Sequence, residues 1–415
     1  MVRIRRAKKQ AKKPATNTHT QEVKKTRIRV IGIGGGGGTI VSELASRVKR
    51  ASFVAANTDK QALKTLNRNV LSFQFGESLT HGLGTGMNQE LARTAALSEK
   101  ERIKKLFEGY DFCILVSALG GGAGSGASPI FAKEAKNAGA LTLGVFTLPF
   151  NFEGGKKQEL ARESLQKIRP SLNAVSILPN DRIFQVIEKS TPLKEALSFM
   201  NKNLADSLEG LIETIYLPGV INIDFADLKT ILQGQGKIAY LNTVEFEGDN
   251  RAAEAVKKVL NSPLYPYTIR GAKKVLFNIT GDKELLLSEV SGISKMIFEQ
   301  VFSQAQIIFG ISQSQNLKDK IKISVLATGC SAKGVVEPLK GVHYPPGIFT
   351  EGGEKPKKKA ESKQKPESES GPKTKPGSRF LTVRRRRTKS GEARSKIHYR
   401  AKPRPKPKPK KVEVK

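Results

Sequence analysis

Apolar positions change period several times along the chain. Ile28 to Ile33 is a short β-branched run that passes at once into five glycines and then into a stretch with helical spacing, Thr39 to Val48. Phe53 to Ala56 predicts a second strand, 59–66 a helix, 88–107 a longer helix, and Phe112 to Ser117 a fully apolar strand that runs into Gly120 to Gly126. A helix over 127–138 and strands at Leu141 to Thr147 and Val175 to Leu178 follow. Strands alternating with helices predict an α/β fold whose parallel sheet is covered on both faces. From Glu195 to Tyr216 apolar residues recur at 197, 200, 204, 208, 211 and 215, one face of a long helix that Pro218 and Gly219 stop. Segments 229–233, 252–260, 274–279, 288–302, 305–309 and 321–327 then mix helix and strand. The reading is an α/β domain over 28–194, a central helix over 195–217 and a smaller α+β domain over 218–330.

Charge divides the chain differently. Its 415 residues carry a net charge of +34, yet 1–27 hold 10 basic and 1 acidic residue, and 353–415 hold 24 basic and 6 acidic. The body between them has an ordinary balance. The ends, 1–27 and 331–415, have too few apolar positions to bury a core and read as disordered basic tails. The two cysteines, Cys113 and Cys330, sit among apolar residues and cannot form a disulfide framework. Four His and no paired Cys or His motif argue against a zinc enzyme, and no metal ligands are assigned. No apolar stretch approaches the roughly 20 residues of a spanning helix, and no apolar segment follows the basic start as a secretory signal requires. The expectation is a cytoplasmic protein.

The glycines carry the chemistry. Gly34, Gly35, Gly36, Gly37 and Gly38 lie between a strand and a helix, where backbone N–H groups and the helix N-terminus can hold phosphate. Alone this also fits a dinucleotide dehydrogenase, since Asp59 lies about 20 residues on. The second run, Gly120, Gly121, Gly122, Ala123, Gly124, Ser125 and Gly126, again follows an apolar strand and opens a helix. Two such runs on one sheet imply a polyphosphate held from two sides. The P-loop signature is absent.

The second run resembles the phosphate signature of the tubulin/FtsZ superfamily, most closely its bacterial FtsZ branch, with Ala123 and Ser125 in place of two Thr. Asn57-Thr58-Asp59, Gly82-Leu83-Gly84-Thr85-Gly86, Pro149 to Gly154, Pro179-Asn180-Asp181 and Asn222 to Asp227 also resemble that family's motifs, in order, across about residues 27–330. The resemblance implies a GTPase that polymerises head to tail into protofilaments, with GTP/GDP as nucleotide, Mg2+ as its cation and a role in cell division at the division site. It implies phosphate contacts from 34–38, Asn57, Gly84, Thr85, Gly86 and 120–126. Glu153 would hold the ribose beside Lys157, and Asn180 and Asn201 would read the base. Lys202 stands where the family has an Asp that accepts the guanine N–H donors, and an ammonium accepts nothing.

Catalysis is expected from Asn222, Asp224 and Asp227, whose carboxylates can orient a water for phosphoryl transfer. The plainer reading is that Asp224 caps the following helix. In the family this loop reaches the next subunit's nucleotide, so assembly would switch hydrolysis on. The Lys/Arg/Pro tail suits nucleic acid or anionic lipid without sequence preference, and the resemblance adds a membrane-tethering adaptor as a partner. The alternative is a nucleotide-bound scaffold or DNA-associated protein with little turnover.

Overall fold

The computed structural model describes residues 26–188 and 190–330. Nearly all of the basic arm and the whole tail from 331 lie outside the described residues. The first half runs β1 (Ile28–Ile33), α1 (Gly34–Arg47), β2 (Ser52–Asn57), α2 (Lys60–Lys64), β3 (Val70–Gln74), α3 (Glu77–Thr80), α4 (Gln89–Ser98), α5 (Lys100–Lys105), β4 (Phe112–Ala118), α6 (Gly122–Asn137), β5 (Leu141–Leu148), α7 (Gly155–Ile168) and β6 (Ala174–Pro179). Its strands lie in the order β3-β2-β1-β4-β5-β6, all parallel. Burial explains their composition: every residue of β5 and β6 is buried, so these central strands read as continuous apolar runs.

The helix α8 (Leu193–Tyr216) follows, burying Met200, Leu204, Leu208 and Leu211 on the face the periodicity predicts. Then come β7 (Gly219–Ile221), α9 (Phe225–Leu232), β8 (Lys237–Glu247), α10 (Arg251–Leu260), β9 (Lys274–Gly281), α11 (Leu287–Phe298), β10 (Gln306–Gln313) and β11 (Lys320–Thr328). These strands continue the sheet as β8-β11-β9-β10-β7 with mixed directions. The join is narrow, because β6 and β8 pair only at Ala174–Lys237 and Val175–Ile238. Beyond that, buried tyrosines span the gap. The Tyr267 hydroxyl accepts from Ile177 N–H and donates to the Ala239 carbonyl, both at 3.0 Å. Tyr265 donates to the Leu241 carbonyl and accepts from Ser176 Oγ at 3.3 Å.

Several expectations need correction. The helices placed at Thr39 and 127 begin earlier, at Gly34 and Gly122, so Gly34–Gly38 and Gly122–Gly126 are helical turns, and only Gly120 and Gly121 stay in the turn before α6. The helix over 88–107 is two helices broken at Glu99. Strands β3 and β8 and helix α7 were not expected. The outer strand β3 buries only Val70 and Phe73, and α7 only Ala161, Ser164, Leu165 and Ile168, so neither leaves a strong apolar period.

Candidate functional site

In the first half of the sheet the chain direction of winding reverses between β1 and β4, which pair in register up to Ile33–Ser117. Ligands of open parallel sheets bind at such a switch point, outside the strands' carboxyl ends. There β1 passes directly into glycine-led α1, and β4 reaches glycine-led α6 through the three-residue turn 119–121. Neither α1 nor α6 has a side-chain cap or an acidic residue in its first turn, whereas α2, α4 and α9 are capped by Asp59, Asn88 and Asp224. Two helix N-termini with free N–H groups and positive dipole ends thus adjoin, a setting made for phosphate.

Close approach makes most of these glycines obligatory. Gly34 has φ of 76°, and a Cβ there would lie 2.9 Å from Gly124 N, so the two helix starts touch. A Cβ on Gly36 would meet Ala118 Cβ at 2.6 Å; on Gly37, Gly122 and Gly126 it would overlap the Val116 carbonyl, Thr85 Oγ1 and the Gln89 carbonyl. Gly35 and Gly121 instead face open space. A phosphate can approach the backbone at those two positions because no side chain stands in the way.

The rim follows. Thr85 is buried between Gly84 and Gly86, which have φ of 82° and 52°, and it packs against Gly122. Asn57 ends β2, buried, with its Oδ1 accepting from Asp59 N–H at 3.3 Å. The Asp59 carboxylate accepts from Gln61 and Ala62 N–H, so it caps α2, the use that displaces the dehydrogenase reading. Ser125 Oγ accepts from Gly120 N–H at 2.7 Å and is buried, so it closes the turn from inside. Gly120 abuts Pro149 and Lys157, bringing the 149–157 segment to the second run. There Glu153 accepts from Phe150 N–H at 2.9 Å and pairs with Lys157 Nζ at 2.6 Å. Asn180 opens a 3-10 turn, Asn180–Gln185, against which α8 packs with half-buried Asn201 and exposed Lys202.

No role is read for Asp181 from its motif. Its buried carboxylate accepts from Asn151 N–H at 3.1 Å, tying the Asn180 turn to the Glu153 turn, and burial raises its pKa. Beside it, buried Arg182 donates to the Tyr265 carbonyl at 2.9 Å. The signal was present in the Pro179-Asn180-Asp181 motif, but which neighbour needed a carboxylate was not.

Asn222, Asp224 and Asp227 are not brought to the glycines. Asp224 and Asp227 form a capping box at the start of α9, each side chain accepting from the other's N–H at 2.9 Å, and Asn222 Oδ1 accepts from Gly219 N–H at 2.7 Å. The plainer capping reading is therefore correct as local structure. Asn222 and Asp224 line a cavity of about 920 Å³ together with Ile28, Ala51 and Ser52, where β1 and β2 begin. The glycines lie where those strands end, about 20 Å away at the rise of a six-residue strand. One subunit cannot apply these carboxylates to its own phosphates.

Residues 27–188 match the GTPase domain of the Tubulin/FtsZ family and residues 237–331 the C-terminal domain of the FtsZ family. The solved structure of an empty FtsZ dimer from M. jannaschii is 33% identical, with a TM-score of 0.69 over 74% of this chain and 89% of that one. The chain belongs to the tubulin/FtsZ family. The fold extends to GDP-bound CetZ1 and a GTPγS-bound CetZ2 protofilament from Haloferax volcanii, each 22% identical over 74% of this chain and over 95% and 94% of theirs, with TM-scores of 0.64 and 0.62. These relatives are archaeal, so the bacterial branch rests on the motifs alone. GTP hydrolysis in general is what the family's domain performs.

Among the described residues no three His, Cys, Asp or Glu side chains gather as a metal site, and no helix is long and apolar enough to cross a membrane. Cys113 is buried, its thiol pushed up to about 12 by desolvation, which fits the inert core role.

Proposed function

We propose that this tubulin/FtsZ-family protein is a GTPase that assembles head to tail and hydrolyses GTP at the junction between subunits. The observation that carries the reading is the separation of two uncapped glycine helix starts from the Asn222–Asp227 loop at opposite ends of the strands. In a head-to-tail pair the lower end of one subunit meets the upper end of the next, and the two halves of the site combine.

The glycine N–H groups bind and orient the α-, β- and γ-phosphates, and Glu153, Asn180 and Asn201 hold the nucleoside. Mg2+, when bound with the nucleotide, screens phosphate charge. Asp224, Asp227 and Asn222 of the next subunit hold the attacking water by hydrogen bonds. Its oxygen bonds to the γ-phosphorus as the bond from that phosphorus to the β,γ-bridging oxygen breaks. GDP leaves with the electron pair, and the water's proton passes through a carboxylate to phosphate. The carboxylates serve as caps in the free subunit, where Asp224 is exposed and Asp227 half-buried, and the cap is worth only about 1 kcal/mol against a new partner.

Cytoplasmic filaments at the division site, and an adaptor that tethers them to the membrane, extend the same reading. The basic tail outside the described residues would hold polyanions electrostatically. The 33% identity to an FtsZ that crystallised as a dimer supports self-association. Specific GTPase activity measured across a protein concentration series tests the whole: it should rise from near zero below a threshold. A rate per molecule that stays constant on dilution overturns it. The scaffold alternative, favoured by Ala123 and Lys202, expects GTP to be bound and retained at every concentration.

A further inference from the structure

The two glycine runs themselves supply no cation. No Lys or Arg lies in Gly34–Gly38 or Gly120–Gly126, and Lys157 is paired to Glu153 at 2.6 Å. Phosphoryl transfer nevertheless moves negative charge onto the leaving oxygen and spreads it over the γ-oxygens, and fixed cations facing those oxygens lower the barrier. The missing charge lies at the other end. The 920 Å³ cavity beside the acidic loop is lined by Arg27, Lys49 and Arg50 against the single carboxylate of Asp224. Arg50 Nη1 donates to the carbonyl of Tyr216, the last residue of α8, at 2.7 Å, which holds the guanidinium beside the segment leading to Asn222. Lys49 is exposed, with no ion pair or hydrogen bond among the described residues, and Arg27 stacks over Tyr110 at 4.8 Å from the ring centre. A loaded glycine end is anionic, and this cavity is its electrostatic complement.

We propose that Lys49 and Arg50, with Arg27 as a flanking cation, face the γ-phosphate of the adjoining subunit's GTP and stabilise the charge that develops during hydrolysis. This rests on the head-to-tail reading above and adds a cationic half to the acidic loop. The carboxylates hold the water, and the cations take the phosphoryl charge. The competing explanation is local: Arg50 caps the carboxyl end of α8, and Lys49 is a solvated side chain.

The variant Lys49→Gln/Arg50→Gln separates the two, because Gln keeps an amide N–H donor and carries no charge. Subunits loaded with γ-labelled GTP are assembled alone, or with an excess of unmodified subunits loaded with a non-hydrolysable analogue, and phosphate release is followed with pelletable filament mass matched. The expected result is release slowed about 100-fold in the variant alone, with unchanged GTP affinity in dilute subunits and near-normal release under unmodified neighbours. Asp224→Ala is run in parallel as the control for shared sites. If Asp224→Ala is rescued by unmodified neighbours while the double variant is not, or the double variant alone hydrolyses normally, the cationic proposal fails and the shared site stands. If neither is rescued, the head-to-tail reading fails and takes the proposal with it.

Discussion

The two ends of the strands are built on opposite principles. At the carboxyl end the site is backbone: Gly34 and Gly124 almost touch, Gly122 packs on Thr85, and a single Cβ would part them. At the amino end it is exposed side chains on a loop and a helix start, Asn222, Asp224, Lys49 and Arg50, which the fold does not need in order to pack. On the reading proposed above, binding is thereby tied to folding, whereas catalysis would fall to groups that can change without cost to the core. Substitutions at the two ends should consequently differ in kind.

Loss of binding is expected at the upper end, and it should split the glycines. Gly35→Ala and Gly121→Ala place a methyl group in open space. Helix propensity should leave stability unchanged or raised by up to about 1 kcal/mol at Gly35, while the phosphate is kept off the N–H groups and GTP affinity falls by at least about 100-fold, nearly 3 kcal/mol. Gly37→Ala drives its Cβ into the Val116 carbonyl and should cost about 1–3 kcal/mol of stability instead. Titration with a fluorescent GTP analogue and thermal melts on the same samples decide it. Normal binding by Gly35→Ala would move the cradle elsewhere.

The lower end should show the reverse pattern. Asp224→Ala and Asp227→Ala should keep GTP affinity, lose roughly 1 kcal/mol of stability with the cap and slow turnover by about 10²–10⁴. Asp224→Ser sharpens the comparison because a serine still accepts from the Asp227 N–H but has no carboxylate. Turnover at the normal rate in Asp224→Ser would mean that the residue is a cap and nothing more.

The same contrast explains what the sequence made legible. The glycine runs, the apolar strands before them and the period of α8 are consequences of packing, and packing leaves spacing in the sequence. What failed was what packing constrains least. The outer strand β3 and the polar helix α7 bury few residues each, and the glycine-rich helix starts look like loops because glycine is a poor helix former. The Tyr265 and Tyr267 hydroxyls that bridge β6 to β8, and the cations beside Asp224, depend on partners some 30 to 195 residues away, which no local pattern announces. Asp59 shows the converse error, a correctly noticed carboxylate whose task is the cap of α2.

A smaller effect is expected from Lys202, exposed on the central helix beside half-buried Asn201. An ammonium cannot accept the guanine N1–H and N2–H donors, so GTP should be favoured over ATP only weakly, and Lys202→Asp should raise the preference about tenfold, 1.4 kcal/mol. Competition of the two nucleotides for the bound fluorescent analogue measures it. A strong GTP preference in the unmodified protein would show that another acceptor reads the base.

The smallest effect belongs to Asp181, the carboxylate between the Asn180 and Glu153 turns. Burial raises its pKa in the folded protein, against the Asn151 N–H bond that favours the ionised form. The folded state therefore holds this proton more tightly than the unfolded chain, whose carboxyl has the ordinary value near about 4. The contribution is favourable at low pH and is lost as pH rises from about 4 through the folded value. Asp181→Asn keeps an acceptor for Asn151 N–H and cannot ionise, so its melting temperature should match the parent at pH 4 and lie slightly above it at pH 7, with GTP affinity little changed. A parent that gains stability over the variant as pH rises would mean that the ionised carboxylate is bound more strongly than burial penalises it. In that case the link to Asn151 would be a true charge-assisted anchor of the nucleoside pocket rather than a neutral spacer between its two turns.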